Sequence, residues 1–222
     1  MKPVNIEVTS DFICPWCWIG HHHLRQAIDM ANVKTAPQIR YVPYELNPSM
    51  PAEGMNRRIY RSTKFGSWVR SVAMDADVTL AGQRAGVTFN YDKVEMTPNT
   101  RLAHRLMYFA QLQGDAEKTN VLFDSIFVAY FSEGRDIGKL DVLIELAEAA
   151  GFDGNMARSF LESEQGNSEV AQSELTAQER GVRSVPNISI GDYRVVGAQP
   201  VDVIADLLKE SATEYLLNVD AT

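Results

Sequence analysis

Val4-Asn5-Ile6-Glu7-Val8-Thr9-Ser10-Asp11-Phe12-Ile13-Cys14-Pro15-Trp16-Cys17 is the stretch on which the reading of this chain turns. Residues 4–9 alternate apolar and polar as a strand does, and residues 10–13 lead out of it. From Cys17 onward the pattern is helical. The junction is a Cys-x-x-Cys that holds both cysteines of the 222 residues. Placing the whole cysteine content there points to dithiol chemistry rather than to structural cross-links. The first sulfur then sits where helix-terminal N–H groups point outward and the positive end of the helix dipole favours an anion. Pro15 suits a first helical turn, since it has no N–H to lose and its φ is already helical. Cys17 lies one turn further in, shielded by the helix and within reach of a mixed disulfide. Trp16 is large, apolar and poorly placed for a core, which gives it a substrate-facing position. The expectation is an attacking thiolate at Cys14 and a resolving thiol at Cys17.

Working outward, Ile39-Arg40-Tyr41-Val42-Pro43 reads as a second strand, ended by its proline. A loop rich in turn residues follows over 47–54. From about residue 56 to 181 helical patterns dominate. Thr97-Pro98-Asn99-Thr100 can start a helix with Leu102, Leu106, Phe109 and Leu112 on its apolar side. Further helices are expected near 116–131, through Val121, Leu122, Ile126 and Phe127, and over 140–150, with Asp153 capping the next. Period two returns in Asn187-Ile188-Ser189-Ile190 and Tyr193-Arg194-Val195-Val196, joined by the turn pair Gly191-Asp192. A last helix is expected from Pro200 to Lys209, with Val203, Ile204, Leu207 and Leu208 inward and a surface tail or add-on helix after Ser211. A helix between the first two strands makes them parallel neighbours. The result is a small mixed sheet interrupted by a helical insertion.

Composition removes several classes of function. A formal charge of −8 and the lack of any Lys/Arg run longer than two residues argue against a nucleic-acid partner. No apolar stretch is long enough for a membrane span. Met1-Lys2-Pro3 runs straight into the first strand without a leader, so a cytoplasmic protein is expected. In that compartment a disulfide is transient and catalytic.

Cys-x-x-Cys can also be half of a zinc site, and His21 follows Cys17 by four residues. A second pair of ligands is missing, with only His22, His23 and the distant His104 left to supply it. No metal is therefore expected, and His21-His22-His23 reads as a solvated or half-buried part of the first helix.

Several phrases together resemble the FrnE-like branch of the DsbA family. They are Asp11 to Cys17, Tyr44-Glu45-Leu46-Asn47-Pro48, Pro98-Asn99-Thr100, Tyr130 to Ile137, and Gly181 to Pro186 running on to Gly197-Ala198-Gln199-Pro200. The resemblance covers residues 4 to 209 in order. It implies an α/β, thioredoxin-like fold with a large inserted all-helical domain. Residues 1–47 and 182–210 would form the thioredoxin-like domain, 48–181 the insertion with its connecting helix, and 211–222 a tail. It also implies exchange of a Cys14/Cys17 dithiol with protein or small-molecule disulfides, without a resident cofactor. Val185-Pro186 would be the cis-proline loop facing the dithiol, so that Pro15, Trp16, Val185 and Pro186 contact substrate.

Two positions depart from the family pattern. The buried acid carried six residues before the nucleophile, which helps move the resolver's proton, is Val8 here. Asp11 and Glu45 are the available substitutes, though each could equally be a surface carboxylate or a cap. Trp16 stands where periplasmic DsbA has a histidine, and loss of that cation makes the couple less oxidising. The superfamily also contains kappa-class glutathione transferases and 2-hydroxychromene-2-carboxylate isomerases, which use a serine at the first cysteine position. Possession of both cysteines argues against that chemistry. Asn47, Asn99 and His104 could still line a cleft that takes glutathione as co-substrate, or they could be a helix cap and packing residues.

Overall fold

The computed structural model describes residues 3–219, with side chains through Thr213. A four-stranded sheet has the order β2-β1-β5-β6, formed by β1 (Asn5–Ser10), β2 (Gln38–Pro43), β5 (Asn187–Ile190) and β6 (Tyr193–Val196). β1 is central, with Val8 facing Tyr41 of parallel β2 on one side and Ile188 of antiparallel β5 on the other. Helix α1 (Pro15–Ala31) joins the parallel pair and packs along the last helix, α9 (Val201–Val219).

Between β2 and β5 lies the insertion, helical apart from a two-residue ribbon of β3 (Met55–Asn56) and β4 (Met96–Thr97). Its helices are α2 (Arg57–Phe65), α3 (Trp68–Ala85), α4 (Arg101–Leu112), α5 (Ala116–Phe127), α6 (Leu140–Ala149), α7 (Gly154–Glu162) and α8 (Asn167–Glu179). α4 and α8 lie against β2. β2 is an edge strand, and the side-chain amide of Gln111 in α4 does there what a neighbouring strand would do. It accepts from Tyr41 N at 2.8 Å and donates to Tyr41 O at 3.1 Å, which satisfies an otherwise open edge. No helix among the described residues is long and apolar enough to cross a membrane.

Four expectations need correction. Leu112, Val121 and Val203 are exposed rather than inward, each lying off the buried stripe of its helix. The last helix does not stop at Lys209: no glycine or proline interrupts residues 210–219, and α9 runs through them. Residues 220–222 of the expected tail lie outside the described part. The run expected as one helix near 116–131 is two pieces, because α5 passes into a π-turn over Val128–Ser132. That wide turn buries Ala129, Tyr130 and Phe131 together, a geometry often found beside functional sites. Gly134 follows at φ +74°, where a Cβ would lie 2.2 Å from Lys93 O. The phrase from Tyr130 to Gly134 thus locks the turn against residues 88–94, helped by Ser132 Oγ donating to Thr88 O at 2.5 Å.

His21, expected to be solvated or half-buried, is fully buried. It falls on the inner face of α1 with Cys17 and Leu24. Tyr41 Oη spends its hydrogen on Asn120 Oδ1 at 2.8 Å, so it accepts from His21 Nε2–H at 3.1 Å. Nδ1 of the same ring is buried without a partner, so a second proton there would meet no acceptor. Burial lowers the His21 pKa to about 3, Asp124 opposing and His22 and Arg25 adding to the effect. Beside it, Asp124 accepts from Trp18 Nε1 at 2.7 Å and lies 3.0 Å from His22 Nε2. Burial pushes the Asp124 carboxyl up, but these hydrogen bonds outweigh it and leave it below its ordinary value. This polar seam, with the Trp18, Phe127 and Phe131 rings stacked nearly parallel next to it, fastens the helix that carries the dithiol to the insertion.

Candidate active site

The dithiol is positioned by two consecutive turns at the end of β1. Cys14 N donates to Asp11 O, and Cys17 N to Cys14 O, both at 3.0 Å. Cys14 itself is the N-cap residue of α1, with extended backbone and Pro15 directly behind it. An N-cap residue has one foot outside the helix, so its side chain projects beyond the first turn. Both cysteines are free thiols. Cys14 is 6% exposed and Cys17 is fully buried, while Trp16 between them is 42% exposed. Burial pushes the Cys17 thiol well up, and the hydrogen bond to Cys14 and the Cys14 charge push the same way. Cys17 therefore holds its proton tightly.

The Val185–Pro186 peptide is cis. Val185 O lies 3.8 Å from Cys14 Sγ, so a chain distant by 171 positions meets the first cysteine. Gly20 makes this approach possible: a Cβ there would stand 3.1 Å from Pro186 Cγ. Cys14, Pro15, Trp16, Val185 and Pro186 are thus brought together.

The remaining sequence candidates divide into two groups. Asp11 is fully buried below the dithiol turn, where its Oδ2 accepts from Leu46 N at 2.7 Å. Glu45 is also buried and is ion-paired with Arg101. Burial raises the Glu45 carboxyl; Arg101 and His104 lower it, and Glu174 and Asp11 raise it further. His104 is buried as well, its ring centroid 5.1 Å from that of Phe12. Asn47 and Asn99 brace the loop after β2. Asn99 Nδ2 donates to Met50 O at 2.7 Å and its Oδ1 accepts from Arg101 N at 2.9 Å. Asn47 Oδ1 accepts from Tyr60 Oη at 2.6 Å and from Lys64 Nζ at 3.2 Å.

Two members of the buried cluster escaped the sequence reading. Arg101 stands in the first turn of α4 and Glu174 in the middle of α8. Glu174 had a usable signal, since it falls on the buried stripe of α8 with Val170 and Ala177. A cavity of about 740 Å³ beside β2 reaches inward to Phe12 and His104, between Ile39, Tyr41, Met107 and Gln111. Among the described residues no group of three or more His, Cys, Asp or Glu side chains could hold a metal ion. His21, the sequence candidate for such a role, is committed to Tyr41 instead.

The model of the DsbA-like thioredoxin domain matches residues 5–209. The chain belongs to that family. The Bacillus subtilis protein YwbO is 30% identical over 208 residues, spanning 93% of this chain and 96% of its own. Among solved structures, a probable DsbA oxidoreductase of Streptomyces coelicolor superposes with a TM-score of 0.84 at 24% identity, over 95% of this chain and 91% of that one. A cytosolic disulfide reductase of Pseudomonas aeruginosa, DsbM, solved with GSH, gives 0.62 at 16% identity, over 97% and 99%. A 2-hydroxychromene-2-carboxylate isomerase gives 0.68 at 19%, over 98% and 99%. The DsbA-like fold with its helical insertion is thus the architecture of this chain. In this DsbA-like protein the first-strand position read as lacking an acid, Val8, is fully buried in the core.

Proposed function

We propose that this DsbA-like protein is a thiol–disulfide oxidoreductase of the FrnE-like branch, working in the cytoplasm. The observation that carries the reading is the asymmetry of the two thiols. One stands at a helix N-cap against the Val185 carbonyl, and the other is sealed behind it with its proton held firmly. Cys14 as thiolate attacks one sulfur of a disulfide, and the displaced sulfur leaves as a thiolate that takes up a proton. Cys17 then loses its proton and attacks Cys14 Sγ, so that the second substrate thiol leaves and the Cys14–Cys17 disulfide forms. Two electrons pass to the substrate; the reverse sequence oxidises a dithiol through the same bonds. The direction depends on the couple's potential, where about 30 mV is worth about 1.4 kcal/mol.

Substrate would lie on Pro15, Trp16 and the Val185-Pro186 loop, which flank Cys14 on its open side. Glutathione is proposed as co-substrate. A fold shared with a disulfide reductase solved with GSH supports this. Asp11, whose carbonyl anchors the turn that carries Cys14, is proposed as the proton acceptor for Cys17. Replacing Cys14 by serine should abolish insulin reduction without changing the fold. A Cys14→Ser variant that keeps full activity would refute the reading. A glutathione-dependent transferase or isomerase, the competing function, would instead keep tight glutathione binding after both thiols were removed.

A further inference from the structure

The resolving thiol has to give up a proton inside a sealed site, and the usual acid on the first strand is absent. Around Asp11 the structure supplies an alternative. Asp11 Oδ1 has no hydrogen-bond partner and lies 3.5 Å from His104 Nε2, which has none either. Both side chains are at least nine-tenths buried. Glu45, from the segment after β2, pairs with Arg101 of α4, and Glu174 of α8 accepts from Glu45 N at 3.0 Å. On the insertion side, the Tyr130 hydroxyl faces Asp11 but donates to Met96 O at 3.2 Å, with Arg57 and Arg61 beyond it. The Phe12 ring packs against His104, the centroids 5.1 Å apart.

The imidazole is thus set against Asp11 and the arginine against Glu45, with Glu174 held to the Glu45 backbone. The cluster reaches the dithiol turn on one side, where Cys14 N donates to Asp11 O at 3.0 Å and Cys17 N to Cys14 O at 3.0 Å, and the Asp11 charge raises the Cys17 thiol. On the other side His104 lines the 740 Å³ cavity, which is roomy enough for water.

We propose that Asp11 and His104 form a proton relay that takes the proton from Cys17 during resolution and passes it to water in the cavity beside β2. This rests on the dithiol reading above. As Cys17 attacks Cys14 Sγ, its proton goes to the Asp11 carboxylate and from there to His104 Nε2, and the imidazole returns a proton to cavity water. The departing substrate thiolate is protonated from solvent, so no proton is lost or gained overall. His104 touches neither sulfur and acts through Asp11, as a positioning and relay residue.

The test is single-turnover reaction of the full-length dithiol protein with one equivalent of an aromatic disulfide whose thiolate is coloured. The first release reports attack by Cys14 and the second reports resolution by Cys17. For His104→Gln the first phase should be unchanged. The second should slow by about tenfold or more at neutral pH, the deficit shrinking as pH rises and hydroxide takes the proton directly. Added imidazole should restore the second phase of His104→Ala, the cavity admitting it. A His104→Gln second phase equal to wild type at every pH overturns the relay. So does slowing by one factor at all pH values without imidazole rescue. Absence of the first phase in the wild-type protein would overturn the dithiol reading instead. Should these variants fail to fold, the wild type still decides. The His104 ring resonances must differ between dithiol and disulfide forms at neutral pH, and identical resonances refute the relay.

Discussion

Replacing His21 by glutamine should make the protein markedly more tolerant of acid. In the folded chain His21 donates through Nε2 to Tyr41 Oη, and its Nδ1 faces no acceptor. Its pKa falls from 6.5 to about 3 on burial. A depressed histidine contributes stability that is complete above 6.5 and is lost as pH falls toward 3, because only the unfolded chain takes up the proton across that interval. Each unit is worth about 1.4 kcal/mol, so wild type should lose about 2 kcal/mol through His21 by pH 5 and about 3 kcal/mol by pH 4. The pH 5 figure is set by the unfolded value, since the buried imidazole is still neutral there. These losses are a large share of a typical folding free energy. Glutamine keeps a donor for Tyr41 but has no proton to gain. Urea unfolding of both proteins from pH 8 to pH 4 measures the effect. The two stability curves should converge or cross as pH falls, with a difference that changes by about 3 kcal/mol. A difference that stays constant within about 0.5 kcal/mol across the range would show that His21 is not the buried neutral group described.

Arg105 is buried and donates to four backbone carbonyls, those of Phe160, Leu161, Ser163 and Gln165, at the end of α7. Arg105→Ala should cost about 3–5 kcal/mol in urea unfolding, and Arg105→Lys should recover less than half of it because an ammonium cannot fork; a loss under about 1 kcal/mol would contradict this. Gly134→Ala should destabilise by more than about 2 kcal/mol, since φ +74° and the 2.2 Å approach to Lys93 O both exclude a Cβ. Its thermal midpoint against wild type checks this, and an unchanged midpoint would mean that the turn after Ser132 is not held as described.

The sheet and the dithiol were legible because their signals are local. Alternation over residues 4–9, the Cys-x-x-Cys behind it and the Gly191-Asp192 turn each lie within a few positions of what they specify. Residues at helical spacing likewise announced α4, α5 and α6. Local pattern misplaced what depends on a neighbour. His21 reads as a polar residue among histidines, and only Tyr41, Asn120 and Phe123 packed around it make it a neutral core group. Leu112, Val121 and Val203 satisfy a helical stripe on paper but find no opposing surface. The π-turn at Val128–Ser132 carries no period of its own; it forms because residues 88–94 close against it.

By itself the sequence determined the order of elements, the mixed sheet and the pairing of two cysteines at a helix start, all set by backbone preference and hydrophobic period. Only the tertiary structure decided what surrounds those cysteines. Val185 reaches Cys14 from 171 positions away. Asp11, Glu45, Arg101, His104 and Glu174, drawn from the β1–α1 turn, the segment after β2 and two insertion helices, meet in one charged cluster that is buried except at Arg101. The physical reason is that charge interaction and desolvation depend on distance and burial in three dimensions, and neither is encoded by spacing along the chain.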